Sequence, residues 1–120
     1  RNYDGFLKFV KVYSRRMELA VLEQETQVRP CHAGLVSGVL DARGEVRMCE
    51  LRDAVGNVRD TGYDFGKLWA SEAADAQRKS IRAKECHCTH SCFMSSSLVF
   101  DVRTYGAWLA STVVNFLSAA

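Results

Sequence analysis

Three of the chain's five cysteines fall within seven residues: Cys86, Cys88 and Cys92, in the run Glu85-Cys-His-Cys-Thr-His-Ser-Cys92. The other two, Cys31 and Cys49, lie far upstream. This spacing constrains the fold more than any other feature. A C-x-C pair closes only a strained disulfide, and an odd count leaves one thiol over. Thiols crowded this closely are better used converging on a metal. In a reducing cytosol such clusters serve metal or redox chemistry rather than structural bridges. The expected compartment is accordingly cytoplasmic, and Cys31, Cys49, Cys86, Cys88 and Cys92 are the candidate ligands.

The spacing alone leaves zinc and iron–sulfur both open. Structural zinc sites favour two C-x2-C pairs, or one such pair with two histidines, and neither pattern is present. Cubane clusters take four cysteine thiolates at looser spacings. His32, His87 and His90 flank the cysteines. Histidine beside a cluster more often hydrogen-bonds its sulfurs than ligates its iron. Cys88 and His90 also stand close enough in sequence for a nucleophile and base, but no orienting acid or strand–helix elbow accompanies them.

With 120 residues, the chain makes one domain. It is 48% hydrophobic and 25% charged, which is the balance of a folded globule rather than a disordered chain. A net charge of +2 supplies no electrostatic footprint for nucleic acid or an anionic membrane. No apolar run approaches the roughly 20 residues a membrane span needs. The first residue is Arg1 rather than Met, so the chain reads as a piece of something longer or a processed product.

Residues 3–25 read as an amphipathic helix, with Tyr3, Phe6, Val10, Tyr13, Met17 and Val21 at three- or four-residue steps. Lys8, Lys11, Arg15 and Glu18 fall on the other face. Residues 1–28 are thus expected to form a connector helix, closed by Pro30 immediately before Cys31. Residues 35–40 and 45–51 read as two strands joined by Asp41-Ala42-Arg43-Gly44, a hairpin in which Gly44 supplies a positive φ. The hairpin sets Cys31 before its first strand and Cys49 within its second. Residues 52–63 read as loop, with short helices expected over 64–70 and 72–83, the second capped by Ser71. Residues 85–97 read as a metal loop and Leu98-Val99-Phe100 as a short strand. A last helix over 104–118 carries the stripe Tyr105, Trp108, Leu109, Thr112, Val113, Phe116 and Leu117. It is expected to pack, as are Trp69 and Trp108. Arg78, Lys79, Arg82 and Lys84 read as a solvated helix face, and Asp53, Asp60 and Asp64 as solvated loop residues. The fold class is small α+β: a β-hairpin, short helices and a cysteine-rich loop between flanking N- and C-terminal helices.

Taken together the cysteines run Cys31-x12-Gly44-x4-Cys49, then Cys86-x-Cys88-x3-Cys92. This pattern resembles the C-terminal auxiliary-cluster domain of radical SAM enzymes, of the SPASM or shorter twitch type. The Asp41–Val46 hairpin is similar to the family's "pdGdvypC" stretch, Gly56-Asn57-Val58-Arg59 to its "GNlre" segment, and Phe65-Gly66-Lys67-Leu68-Trp69-Ala70-Ser71 to its "f..iW.s" segment. The run with Thr89 and His90 inside resembles the variant ending "CyCtheC". The likeness covers residues 29–101, with 102–120 as a C-terminal packing helix.

The resemblance implies one auxiliary 4Fe–4S cluster, serving electron transfer or substrate anchoring in a parent enzyme whose barrel lies upstream of Arg1. Five thiolates cannot fully ligate two cubanes. The full SPASM pattern has a C-x2-C-x5-C-x3-C run and a further cysteine, and this chain has neither. Cys31 and Cys49 match the family's first ligand pair and Cys88 and Cys92 its C-x3-C ending, with Cys92 expected to reach back to the hairpin. Cys86 stands either as the fourth ligand in place of Cys88 or as a spare thiol. The chain lacks the C-x3-C-x2-C run that binds S-adenosylmethionine, so that cofactor belongs to the upstream barrel and the chain is not catalytic alone. The expected partners are that barrel and a peptide or small-molecule substrate, with no nucleic acid and no membrane. The competing readings are a zinc-stabilised interaction module without a redox role and a degenerate fragment that folds without metal.

Overall fold

A long helix, α1 (Tyr3–Gln24), opens the chain and is followed by an irregular segment that carries Cys31. Three short antiparallel strands come next: β1 (Val39–Leu40), β2 (Glu45–Arg47) and β3 (Gly56–Asn57), ordered β1-β2-β3. A single 3₁₀ turn over Val58–Thr61 leads to α2 (Phe65–Trp69), α3 (Glu72–Arg82), α4 (Ser91–Val99) and α5 (Val102–Ser118). The computed structural model describes residues 3–118. The chain is a small α+β domain, with five α-helices and a three-stranded antiparallel sheet among the described residues.

The hairpin forms where the sequence predicts it, but shorter. Val39 pairs with Arg47 and Leu40 with Val46. Asp41 closes the turn by accepting from the backbone N–H groups of Arg43 and Glu45, at 2.9 and 3.0 Å. Gly44 has φ 88°, and a Cβ there would stand 2.7 Å from Asn57 Oδ1, so only glycine fits. Cys49 lies beyond β2, not within it. Its carbonyl accepts from the Arg52 N–H in a turn that folds the thiol inward. The stretch expected as loop supplies β3, whose Gly56 and Asn57 pair with Val46 and Glu45.

The core cluster draws on the sheet, the 3₁₀ turn, α2, α3 and α4. Val46, Met48 and Ala74 are fully buried, joined by Ala33, Cys49, Val58, Leu68, Ile81 and Phe93. Ser71 caps α3 as expected, accepting from Ala74 N at 3.2 Å. Asp64 likewise caps α2 through Lys67 N. Arg78 departs from the solvated face predicted for it. It donates to Gly34 O at 2.7 Å, to Trp69 O and to Asp75, and lies over the Trp69 ring. Trp69 is half-buried against the core, as expected.

The flanking helices divide differently. On α1, Val10, Ser14, Glu18 and Val21 form the buried line, packed mainly along α4. Glu18, expected on the wet face, instead accepts from Ser91 Oγ at 3.2 Å, at the start of α4. Residues 91–99 are helix where loop and strand were expected. Phe93, Ser97 and Leu98 share its buried side, and Ser96 satisfies its hydroxyl on the carbonyls of Cys92 and Phe93. That internal bonding lets a serine-rich stretch be helical. The stripe on α5 does not pack as predicted. Leu109, Val113 and Leu117 are more than half exposed, and only its start is anchored, with Phe6 stacking on Tyr105 and meeting Trp108 edge-on. Asp101 holds that start by accepting from Arg103 N at 3.1 Å. Burial pushes the Asp101 carboxyl up, but bonds to Arg103 and the charges of Arg103 and Arg29 outweigh it and hold the group below its usual range.

Candidate metal centre

Cys31 leaves the irregular segment after α1, and Cys49 leaves the turn after β2. Cys86 and Cys88 come from the stretch after α3, which has neither helix nor strand. All four line one cavity of about 450 Å³, together with Gln27, Arg29, Phe93 and Ser97. The fifth thiol is elsewhere. Cys92 sits in the first turn of α4 and is exposed, outside the lining of that cavity. Phe93 is the residue that α4 turns inward, and its neighbour Cys92 is rotated by about 100° from it. The two cysteines of the C-x3-C ending are thus placed differently: Cys88 lines the cavity and Cys92 is exposed.

The cavity has two unlike walls. On the hairpin side Cys49 is 8% exposed and belongs to the core cluster, while Cys31 packs against it. Burial pushes the Cys31 thiol above its usual value of 9.0, against hydrogen bonds from the Ala33 backbone and the Ser97 hydroxyl. Burial raises Cys49 in the same way, opposed by the Leu51 backbone. The thiols at 88 and 86 add to both shifts, because each thiolate opposes the next. On the loop side, Cys86 and Cys88 are half-buried between exposed neighbours.

Polar ties join the walls. Gln27 reaches both Cys31 and Cys86. Outside the cavity, His90 Nε2 stands 2.8 Å from Glu50 Oε2, linking the residue after Cys49 to the stretch between Cys88 and Cys92. His32, beside Cys31, gives its backbone N–H to Ser97 Oγ at 2.9 Å. Arg29 donates to the Tyr13 hydroxyl and to Asp101, and so pins the approach to Cys31. Gln27, Arg29, Glu50 and Ser97 carried no sequence signal. Each is a common polar residue whose partner lies far along the chain.

Zinc and iron–sulfur ask different things of such a donor set. A single zinc holds its thiolates at about 2.3 Å, which brings tetrahedral sulfurs to about 3.8 Å of one another. Among the described residues no three ligating side chains converge closely enough to hold one ion. A cubane carries its irons on separate corners, so its four thiolates stand further apart around a larger space. Cys31, Cys49, Cys86 and Cys88 line a cavity many times the volume of a water molecule, which gives room for a group larger than one ion. Their mutual repulsion is relieved when metal cations neutralise them. No family model matches the chain, and no curated protein or solved structure matches it. No helix among the described residues is long and apolar enough to cross a membrane.

Proposed function

We propose that this chain binds one auxiliary 4Fe–4S cluster through Cys31, Cys49, Cys86 and Cys88, as the C-terminal domain of a cytoplasmic radical SAM enzyme. The observation that supports the reading is that those four cysteines, from three separate stretches of chain, line one cavity of about 450 Å³. The parent family rests on the cysteine spacing, the Gly44 hairpin, the Gly56-Asn57 turn and Trp69. S-adenosylmethionine belongs to the upstream barrel, because this chain lacks the three-cysteine loop that would hold it.

A bound cluster supplies one-electron redox chemistry. The chain's residues hold it, exclude water and tune it. Four thiolates occupy all four irons, which favours electron transfer over direct anchoring of a substrate. Phe93 and the core beneath Cys49 keep one side dry, and burial with hydrogen bonds to sulfur is the lever on potential.

The test is anaerobic reconstitution of the chain with iron and sulfide, followed by its visible spectrum and metal analysis. About four irons and four sulfides per chain are expected. One zinc bound with no iron taken up would overturn the reading in favour of an interaction module. No metal of either kind would leave a thiol-lined cavity of another purpose.

A further inference from the structure

Gln27 lies outside every motif of the sequence, yet it is only 7% exposed. It follows the end of α1, where Glu25 takes the left-handed conformation and turns the chain back. Its Nε2 donates to Ile81 O at 2.9 Å and to Cys86 O at 2.8 Å. Its Oε1 accepts from Cys31 N at 3.4 Å. An amide has two N–H donors, and both are spent on carbonyls. The Cys86 sulfur, 3.9 Å from the same nitrogen, receives only a secondary contact.

These bonds join the segment carrying Cys31, the last turn of α3 and the loop carrying Cys86. No helix or strand does so, because residues 83–90 have no regular structure. The Cys86 carbonyl has no ladder partner and depends on this side chain. Among the described residues Cys88 has no corresponding tie. The bond to Cys86 O is part-buried, and leaving that carbonyl without a partner carries a cost, so the amide resists release.

We infer that Gln27 is a positioning residue of the metal centre, tying the backbone of Cys31 to that of Cys86 so that both cysteines line the same cavity. The inference rests on the cluster reading above. Gln27 touches no iron. It acts through the backbone of two ligands, and the nearby N–H adds polarity beside the Cys86 sulfur.

The test uses the full chain with two substitutions. Gln27→Leu fills the volume without hydrogen bonds. Gln27→Glu keeps the length and the acceptor for Cys31 but loses both donors. Val58→Ala is the control, since it opens the core away from the cavity. In the metal-free chain, iodoacetamide labelling of Cys86 relative to Cys92 is expected to rise several-fold in both Gln27 variants and to stay level in Val58→Ala. After reconstitution with iron and sulfide, release of iron to a chelator is expected to be about tenfold faster in the Gln27 variants. The electron paramagnetic resonance signal of the reduced cluster should change in those variants alone.

Labelling and release equal to the unsubstituted chain would overturn the inference. So would a Val58→Ala control that reproduces both changes, or unfolding of both Gln27 variants, which would assign the residue to the core alone. An unsubstituted chain that takes up no iron defeats the cluster reading separately, and the labelling ratio still decides whether Gln27 positions Cys86.

Discussion

The two walls of the cavity are built by opposite strategies. The hairpin wall is a packed core: Cys49 sits beside Val46 and Met48, both fully buried, and the strand ladder and Gly44 turn hold it from behind. The loop wall has no ladder and is half-buried: Cys86 leans on the same core, and the Gln27 amide and the outer His90–Glu50 pair tie the stretch in. The hairpin wall is thus shaped by hydrophobic burial, which needs no metal. The loop wall is shaped by a few polar contacts and, under the proposal, by the group it would hold. Under that proposal, one half of the site is preformed and the other is completed on binding.

The largest expected effect tests the packed wall. Met48→Ala removes a fully buried side chain and should cost about 2–5 kcal/mol in urea unfolding of the metal-free chain. A loss below about 1 kcal/mol would break the comparison, since the hairpin wall would then not rest on packing. Next come the thiols. Cys49→Ala should abolish iron uptake and also lower metal-free stability, whereas Cys88→Ala should lower iron content with stability unchanged. Cys92→Ser should leave the iron content unchanged, because that side chain is outside the cavity. Loss of the cluster in Cys92→Ser would restore the C-x3-C pair as ligands and move the loop wall.

A smaller effect separates the walls by pH. The folded values of Cys31 and Cys49 are raised above 9.0, so the fold favours the neutral thiol. Their contribution is fully present below pH 9.0 and is lost as pH rises through the raised folded values. The metal-free chain should therefore lose stability above that pH, and Cys31→Ala should flatten part of the decline in thermal melts. An unchanged alkaline slope in that variant would show the hairpin wall to be wetter than its packing indicates. The smallest effect concerns the outer tie. His90 and Glu50 are 30% and 58% exposed, so His90→Ala should cost at most about 1 kcal/mol in the metal-free chain. A larger cost would mean that the loop wall is held more firmly than its burial suggests.

Local chemistry made much of the fold legible. The α1 span, the Asp41–Gly44 turn, the Ser71 cap and the α3 span all depend on neighbours in sequence, and all appear where predicted. The α4 helix was hidden because serine has little helix preference, and its hydroxyls find their partners only once the helix exists. The α5 stripe was legible as a pattern, but a pattern does not say what covers it, and Leu109 and Val113 remain exposed.

The sequence by itself determined a glycine-dependent hairpin just ahead of Cys49 and a domain that mixes helix with a little sheet. Only the tertiary structure decided which cysteines line one cavity. The family resemblance paired Cys88 with Cys92, but a helix starting at Ser91 rotates Cys92 away from Phe93 and into solvent. Tertiary structure likewise set Gln27 between Cys31 and Cys86, four and 59 residues along the chain. Periodicity and turn chemistry act over a few residues. The rotation of a helix face and the reach of one buried amide are fixed by how the whole core packs.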